Sequence, residues 1–289
     1  MTSSLTDTVW NSIRNFQHWF VRHITATYIP GPHLADGINL ARKIAERGWC
    51  STICYWNGSE DLPESINAEY QRALNSIIHN DLDCYLSIKV PALQYSFARL
   101  KLLLETAREH RIRIHFDAQH FDSAAPSLKL LERAAKLYTN LGYTLPSRWL
   151  RSIRDVETIV DLGIAVRIVK GQWPDPDKPE LDARKHFMEL VEALAGRAVH
   201  VAVATHDTAL AKAALSRLHE TETPCQLEQL FGLPIRDESA AKCFDITTRV
   251  YIPYGNAYLP YALSQVFSRP IIIGWIMRDF LLGRNKRLL

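Results

Sequence analysis

Long apolar runs, closely spaced cysteine pairs and an excess of either charge are all missing from this sequence, and each absence removes a class of protein. No stretch reaches the ~18 consecutive apolar residues that mark a membrane-spanning helix. The N-terminus lacks a charged start followed by an apolar core, so no secretory leader is read there. Cysteines number five, at positions 50, 54, 84, 225 and 243, spread through apolar segments. Cys50 and Cys54 lie close together, yet no second pair completes a zinc site. All five are therefore expected to be reduced core residues of a cytoplasmic protein. The formal net charge of +3 is too small to recommend nucleic acid as a partner. The longest basic run, Arg284-Asn285-Lys286-Arg287, offers at most weak attraction to an acidic membrane surface. A Gly-rich phosphate loop is missing too. The first β-like run leads into Cys54-Tyr55-Trp56-Asn57-Gly58, which argues against an open, doubly wound sheet.

What remains is an ordinary globular composition, 47% hydrophobic and 22% charged, in 289 residues. That length lies within the range of one α/β barrel. Short β-like runs recur at 49–55, 84–90, 111–118, 142–145, 165–170, 199–206, 225–231 and 247–252. Helical spacing fills the gaps: Phe97, Leu100, Leu104 and Ala107 share one face, as do Phe187, Leu190, Val191 and Leu194. Gly48, Gly142, Gly163 and Gly196 read as helix ends ahead of strands. Eight β-runs alternating with helices predict a single α/β domain over 1–289, a closed (βα)8 barrel of TIM type. An N-terminal helical segment (1–30, with a helix over Val9–Thr25) would precede it. A C-terminal helix and tail (271–289, with a helix over Ile271–Leu282) would follow.

Catalytic groups of such barrels stand at the C-terminal ends of the strands. That rule selects Lys89, Asp117, Arg167, Lys170, Thr205, His206, Glu228, Tyr251 and Tyr254. Three cations and two acids around one mouth, beside a lumen expected to be apolar, suit a bound anion. A flavin is one such guest, since its ring gains negative charge on reduction and its tail carries phosphate. A phosphorylated sugar held by a Schiff-base lysine, Lys89 or Lys170, is the other. A metal hydrolase fits less well, because His115, His120 and His206 form no closely spaced pair.

Several stretches resemble one family, the proline dehydrogenases, flavoenzymes with a distorted (βα)8 barrel. They are T-A-T-Y-I-P-G (25–31), L-S-I-K-V-P-A-L (86–93), F-D-A-Q-H-F-D-S-A-A-P-S-L-K-L-L-E (116–132), V-R-I-V-K-G-Q-W (166–173), A-T-H-D (204–207), L-E-Q-L-F-G (227–232) and V-Y-I-P-Y-G with a following P-Y (250–261). The resemblance implies FAD, with FMN as second choice, and gives each matching residue a role. Lys89 and Asp117 would act on the substrate, and Arg167, Lys170 and Gly171 would meet the flavin. Thr205 and His206 would hold its phosphate or adenosine side, Leu230 would pack on its ring, and Tyr251 and Tyr261 would line the substrate pocket. An Arg167→Met protein is then expected to stay folded while holding flavin less well.

Departures cluster on the substrate side. Where the family has an arginine pair that clamps the proline carboxylate, this chain has Ser264 and Gln265, with Ser268 in place of a following glutamate. Pro146 replaces a flavin-contacting glutamine, and Gln172 and Trp173 replace a small residue and a tyrosine. Tyr261, Ser264, Gln265 and Ser268 share one helix face by spacing. Ser and Gln hydrogen-bond but cannot neutralise a carboxylate; Arg148 or Arg269 would have to substitute. The expected activity is flavin-dependent oxidation of a C–N bond in a small amine or modified amino acid, not free L-proline. The electron acceptor (quinone, oxygen or a redox protein) has no signature. A flavin-free lyase or aldolase and a non-catalytic binding barrel are the competing readings.

Overall fold

The computed structural model describes residues 30–233, 241, 243–255 and 257. The helices expected over Val9–Thr25 and Ile271–Leu282 lie outside the described residues, as does the basic tail. Within them the chain runs α1 (Leu34–Ala45), β1 (Cys50–Tyr55), α2 (Pro63–His79), β2 (Cys84–Ile88), α3 (Phe97–Glu109), β3 (Ile114–Phe116), α4 (Ala124–Ala135) and β4 (Leu141–Pro146). It continues through α5 (Arg151–Asp161), β5 (Ala165–Val169), α6 (Ala183–Leu194), β6 (Val201–Ala204), α7 (Thr208–Glu220), β7 (Cys225–Leu230) and β8 (Thr248–Tyr254). The strands close in sequence order, β1 pairing with both β2 and β8, and every pairing is parallel. This is the predicted (βα)8 barrel. Among the described residues no helix is long and apolar enough to cross a membrane.

Local chemistry explains the helix starts. Pro63 opens α2, where a missing N–H costs nothing. Asp182 caps α6 by accepting from the backbone N–H groups of Arg184 and Lys185, and Asp207 caps α7 by accepting from Leu210. The stripes foreseen on α3 and α6 are buried: Leu100, Leu104 and Ala107 on one, Phe187, Leu190, Val191 and Leu194 on the other. They pack against the outward strand residues Ile88, Ile114, Val166, Ile168, Val201 and Val203 in one apolar cluster.

The lumen differs from expectation. Barrel interiors of this type are commonly layered with branched aliphatic side chains, and an apolar lumen was predicted here. The inward positions instead carry Thr52, Tyr85, Ser87, His115, Thr144, Arg167, Glu228 and Arg249, all buried. Side chains alternate along a strand, so the aliphatic residues face the helices and the polar ones face each other. Such a lumen is stable only when its polar groups are paired.

Two smaller expectations also change. Cys54 and Cys84 are buried, but Cys243 is exposed and Cys50 and Cys225 are only half-buried, so the cysteines are not uniformly core; all five are free thiols. Gly48, Gly163 and Gly196 do follow helices, whereas Gly142 lies inside β4. A Cβ on Gly142 would come within 2.1 Å of His115 Nδ1. The His115 ring cannot retreat easily, because its Nε2 bonds Thr144 Oγ1 at 2.8 Å and its face stacks on Tyr85 at 5.8 Å. Gly142→Ala is therefore expected to destabilise the fold by ~1–3 kcal/mol through overpacking. Chemical denaturation should show a lower midpoint at unchanged slope.

Candidate active site

At the C-terminal mouth a cavity of about 560 Å³ opens above the lumen network. Lys89, Asp117, Arg167, Gly171, Thr205, His206, Glu228, Leu230 and Tyr251 all line it, so the barrel gathers nine of the predicted residues into one place. Lys170 does not line it: it is exposed on the rim, one residue beyond β5, and inward-facing Arg167 occupies the interior instead. Arg148 does not line it either; its Nη1 donates to the Gln172 carbonyl at 3.3 Å. Tyr254 is fully buried on the helix side of β8, its ring 5.4 Å from Tyr55. Tyr261, Ser264, Gln265, Ser268 and Arg269 fall outside the described residues.

The geometry centres on Arg167, in the middle of β5. Its Nε donates to Glu228 Oε2 at 2.7 Å and its Nη2 to Glu228 Oε1 at 2.8 Å, a two-pronged pair. Its Nη1 donates to Asp117 Oδ1 at 2.6 Å and to Ser87 Oγ at 3.3 Å. Only 3% of its side chain and 2% of that of Glu228 are exposed. Burial disfavours the charge on Arg167, but Glu228, Tyr85 and Asp117 overcome it and hold the guanidinium pKa well above its ordinary value. Glu228 is further satisfied by Thr52 Oγ1 at 2.9 Å and by the Tyr85 hydroxyl at 3.2 Å.

Asp117 follows β3 directly, its backbone N–H held by the Ile88 carbonyl at 2.9 Å. One carboxylate oxygen accepts from Arg167 and, at 3.4 Å, from Thr144 Oγ1; the other accepts from the Tyr251 hydroxyl at 2.7 Å. Burial and then the Asp117 charge push the Tyr251 pKa well up, so this tyrosine stays a proton donor. Lys89 follows β2, and its ammonium sits 4.2 Å from the Trp56 ring centre. Burial lowers its pKa, against smaller upward contributions from Cys54 and Asp117.

The opposite wall, from β5 to β7, has a different character. His206 Nε2 accepts the Leu230 backbone N–H at 3.1 Å, which fixes the imidazole beside the strand end. Thr205 Oγ1 accepts the Asp207 N–H at 3.1 Å, tying this turn to the cap of α7. Gly171 has φ of 88°, and a Cβ there would come within 2.9 Å of Pro146. The backbone is thus bare on that side. The three histidines considered for a metal stand in three settings, His115 on Thr144, His120 against Trp173 and His206 on Leu230. Among the described residues no group of three or more His, Cys, Asp or Glu could hold a metal ion.

Sequence reasoning missed Trp56, Tyr85 and Thr144 as site-builders. Trp56 directly follows β1, so the strand-end rule could have found it. Tyr85 and Thr144 were legible only through inward parity once the register was known.

No protein-family model matches the chain. Among curated proteins it is 23% identical to "Proline dehydrogenase 1" of Bacillus subtilis subsp. natto over 273 residues, 88% of this chain and 89% of that protein. It is 20% identical to "Proline dehydrogenase 2" of Bacillus subtilis (strain 168) over 278 residues, 91% of this chain and 92% of that one. Among solved structures it is similar to proline utilization A from Bdellovibrio bacteriovorus inactivated by N-propargylglycine, with a TM-score of 0.73 and 13% identity over 84% of this chain. Proline utilization A from Corynebacterium freiburgense gives a TM-score of 0.68 and 16% identity over 93% of this chain. These likenesses show the fold, and the chain spans only 32% and 33% of those two larger proteins. The resemblance to proline dehydrogenases read in the motifs thus holds over most of the chain.

Arg167→Met was expected to stay folded because strand-end residues lie outside the packed interior, but Arg167 is itself buried there, so a stability cost is now expected. Removing the guanidinium leaves Glu228 charged and unmatched at 2% exposure, a change that costs about 3–5 kcal/mol in comparable pairs. Urea unfolding of Arg167→Met should show that loss. The double variant Arg167→Met/Glu228→Gln should recover part of it, and equal losses in both would contradict the pairing as the cause.

Proposed function

We propose that this chain is a flavin-dependent oxidoreductase, akin in chemistry to proline dehydrogenases, which takes hydrogen from a C–N bond of a small amine or modified cyclic amino acid. The observation that carries the reading is the grouping of Lys89, Asp117 and Tyr251 on one side of a cavity whose other wall is Gly171, Thr205, His206 and Leu230. That second wall suits a flat cofactor: Leu230 is apolar, Gly171 offers backbone without a side chain, and Thr205 and His206 are polar. FAD is the flavin that the resemblance implies, and when bound it would supply the hydride acceptor, passing electrons on to a quinone, oxygen or a redox protein.

The chain's own residues would prepare the amine. A C–H bond next to nitrogen gives up hydride only when that nitrogen is neutral. Lys89, with its pKa lowered by burial, is suited to hold or release a proton at Nζ. Asp117, pinned by Arg167 and Tyr251, would orient the substrate nitrogen.

Charge argues for the substrate class. Around the cavity floor the carboxylates of Asp117 and Glu228 match the cations of Lys89 and Arg167, and Arg167 is tied to both acids. With Ser264 and Gln265 where an arginine pair would stand, Lys89 is, among the described residues that line the cavity, the cation left for a free carboxylate. The pocket should prefer a ring without that carboxylate, or one masked as an ester, amide or carrier-protein link. Losing a charge-assisted pair costs ~2–5 kcal/mol, whereas a neutral replacement returns only ~0.5–1.5 kcal/mol.

Lys89 also favours a second reading, since a buried lysine of lowered pKa is what a Schiff-base nucleophile needs. Colour separates the two. Protein that stays colourless after incubation with FAD or FMN, and that keeps a borohydride-trapped carbonyl adduct on Lys89, would belong to the second class.

Anaerobic mixing of flavin-loaded protein with L-proline, pyrrolidine and prolinamide measures the preference directly. Pyrrolidine or prolinamide should bleach the flavin more efficiently than L-proline by ~10²-fold or more; fastest bleaching by L-proline would end the carboxylate argument. In the same assay Lys89→Met should retain flavin and lose ~10²-fold or more in bleaching rate, the usual worth of a positioned proton-transfer group.

A further inference from the structure

The N-terminal mouth of the barrel holds a second cavity, of about 390 Å³, at the far end of the lumen from Asp117. Its polar lining follows from the barrel's construction. Asp83, Arg113, Asn140 and His200 each stand immediately before a strand, and Gln226 and Arg249 are the second residues of β7 and β8. The N-terminal face of such a barrel ordinarily serves stability, and a mouth built for stability should hold paired charges.

This one does not. Arg249, 6% exposed, is satisfied: it donates to Asp83 Oδ1 at 2.9 Å, to Gln226 Oε1 at 3.1 Å and to the Ser51 carbonyl. Arg113, half-buried beside it, has only neutral hydrogen-bond partners, its Nε on Asn140 Oδ1 at 3.2 Å and its Nη1 at 3.5 Å from His200 Nδ1, while the Asp83 carboxylate, already paired with Arg249, feels its charge without bonding it. Among the described residues no carboxylate pairs with Arg113. The Tyr85 ring centre lies 4.2 Å from the Arg249 guanidinium and 5.4 Å from that of Arg113, which softens their burial without cancelling a charge. At the exposed lip Arg111 adds a cation and Asp81 an acid, beside the Asp83 carboxylate that Arg249 holds.

The neighbours register that field. Burial, then the charges of Arg113 and Arg249, push the His200 pKa down to about 3. Burial lowers Arg113 itself, and Arg249 lowers it further. A guanidinium kept partly out of water beside a second one is costly unless an anion joins it.

We propose that this cavity is a binding site for a small oxyanion, a phosphate or carboxylate group, held chiefly by Arg113 with Asn140 and His200 at its side. The chemistry is that of a planar fork of donors meeting two or more oxygens. The volume exceeds one such group, and Ile77, Leu82 and Ile112 give the cavity an apolar margin, so an organic phosphate or organic acid fits better than a bare ion. The site is separate from the flavin and amine cavity, and its occupancy does not depend on the oxidation proposed above.

Calorimetric titration of the full-length protein with inorganic phosphate and with succinate, at an ionic strength held constant with chloride, tests it. Saturable one-site binding of at least one anion is expected, together with a higher thermal midpoint. The tighter of the two identifies the group. Arg113→Met should weaken that binding by at least about tenfold, while keeping its midpoint without added anion at or above that of the parent, since an unpaired cation is removed. Imidazole signals of His200 in the unmodified protein should move on titration, a readout that survives a variant that fails to fold. Absence of saturable binding for both anions, binding by Arg113→Met as tight as the parent's, or His200 signals that stay still while binding proceeds would each overturn the site.

Discussion

A single guanidinium, carried inward by the middle of β5, governs the interior of this barrel. Arg167 binds Glu228 with two donors and Asp117 with a third, and all three side chains are almost wholly out of water. Charges at such depth are tolerable only when each finds its complement. The rest of the lumen follows from that demand. Thr52 and Tyr85 occupy the remaining lone pairs of Glu228, Thr144 and Tyr251 those of Asp117, and Ser87 takes a spare guanidinium proton. Aliphatic side chains are displaced to the outer faces of the strands, where the helices cover them.

The same constraint shapes the mouth. Asp117 cannot swing, because its two oxygens are claimed by groups on β5 and β8. A ligand arriving from above meets a fixed carboxylate, the edge of Tyr251 and the Lys89 ammonium resting on Trp56. Arg167 sits within the cavity wall yet spends its donors inward, so it acts on a ligand chiefly by holding Asp117 in place. The motif resemblance alone implied that such an arginine would meet the flavin. Its hydrogen bonds here assign it to the scaffold as well.

Much of this was legible in the residues. All eight β-runs became strands because parallel strands covered by helices are short, apolar and bounded by polar or glycine turns. The strand-end rule found Lys89 and Asp117 because each directly follows a strand whose end was visible, and Tyr251 because it stands in the C-terminal half of β8, facing inward. It failed where orientation mattered. Lys170 and Arg167 both looked like mouth cations, but they differ by an odd number of positions, so when one faces inward the other cannot. Gly142 looked like a helix end because a glycine before an apolar run usually is one; the His115 ring that requires it lies across a strand pair. The partners of Glu228 were beyond reach for a simpler reason, since Arg167, Tyr85 and Thr52 stand 61, 143 and 176 positions away along the chain.

Tyr85 ties the two ends of the lumen together. Its hydroxyl donates to Glu228, the acid that holds Arg167, while its ring lies against Arg249 and Arg113 at the other mouth. Gln226 joins the same chain, accepting from Arg249 and reaching the Tyr85 hydroxyl at 3.4 Å. A polar lumen therefore does what an aliphatic one could not. It carries an unbroken series of contacts from the cationic N-terminal mouth to Asp117 at the C-terminal one. In a medium that screens poorly, charge at either end is felt along such a series. An aliphatic replacement of Tyr85 would keep the barrel's volume but cut that series, leaving Glu228 one donor short and three guanidiniums without their shared ring. The residue that looks least like chemistry in the sequence is thus the one on which both mouths lean.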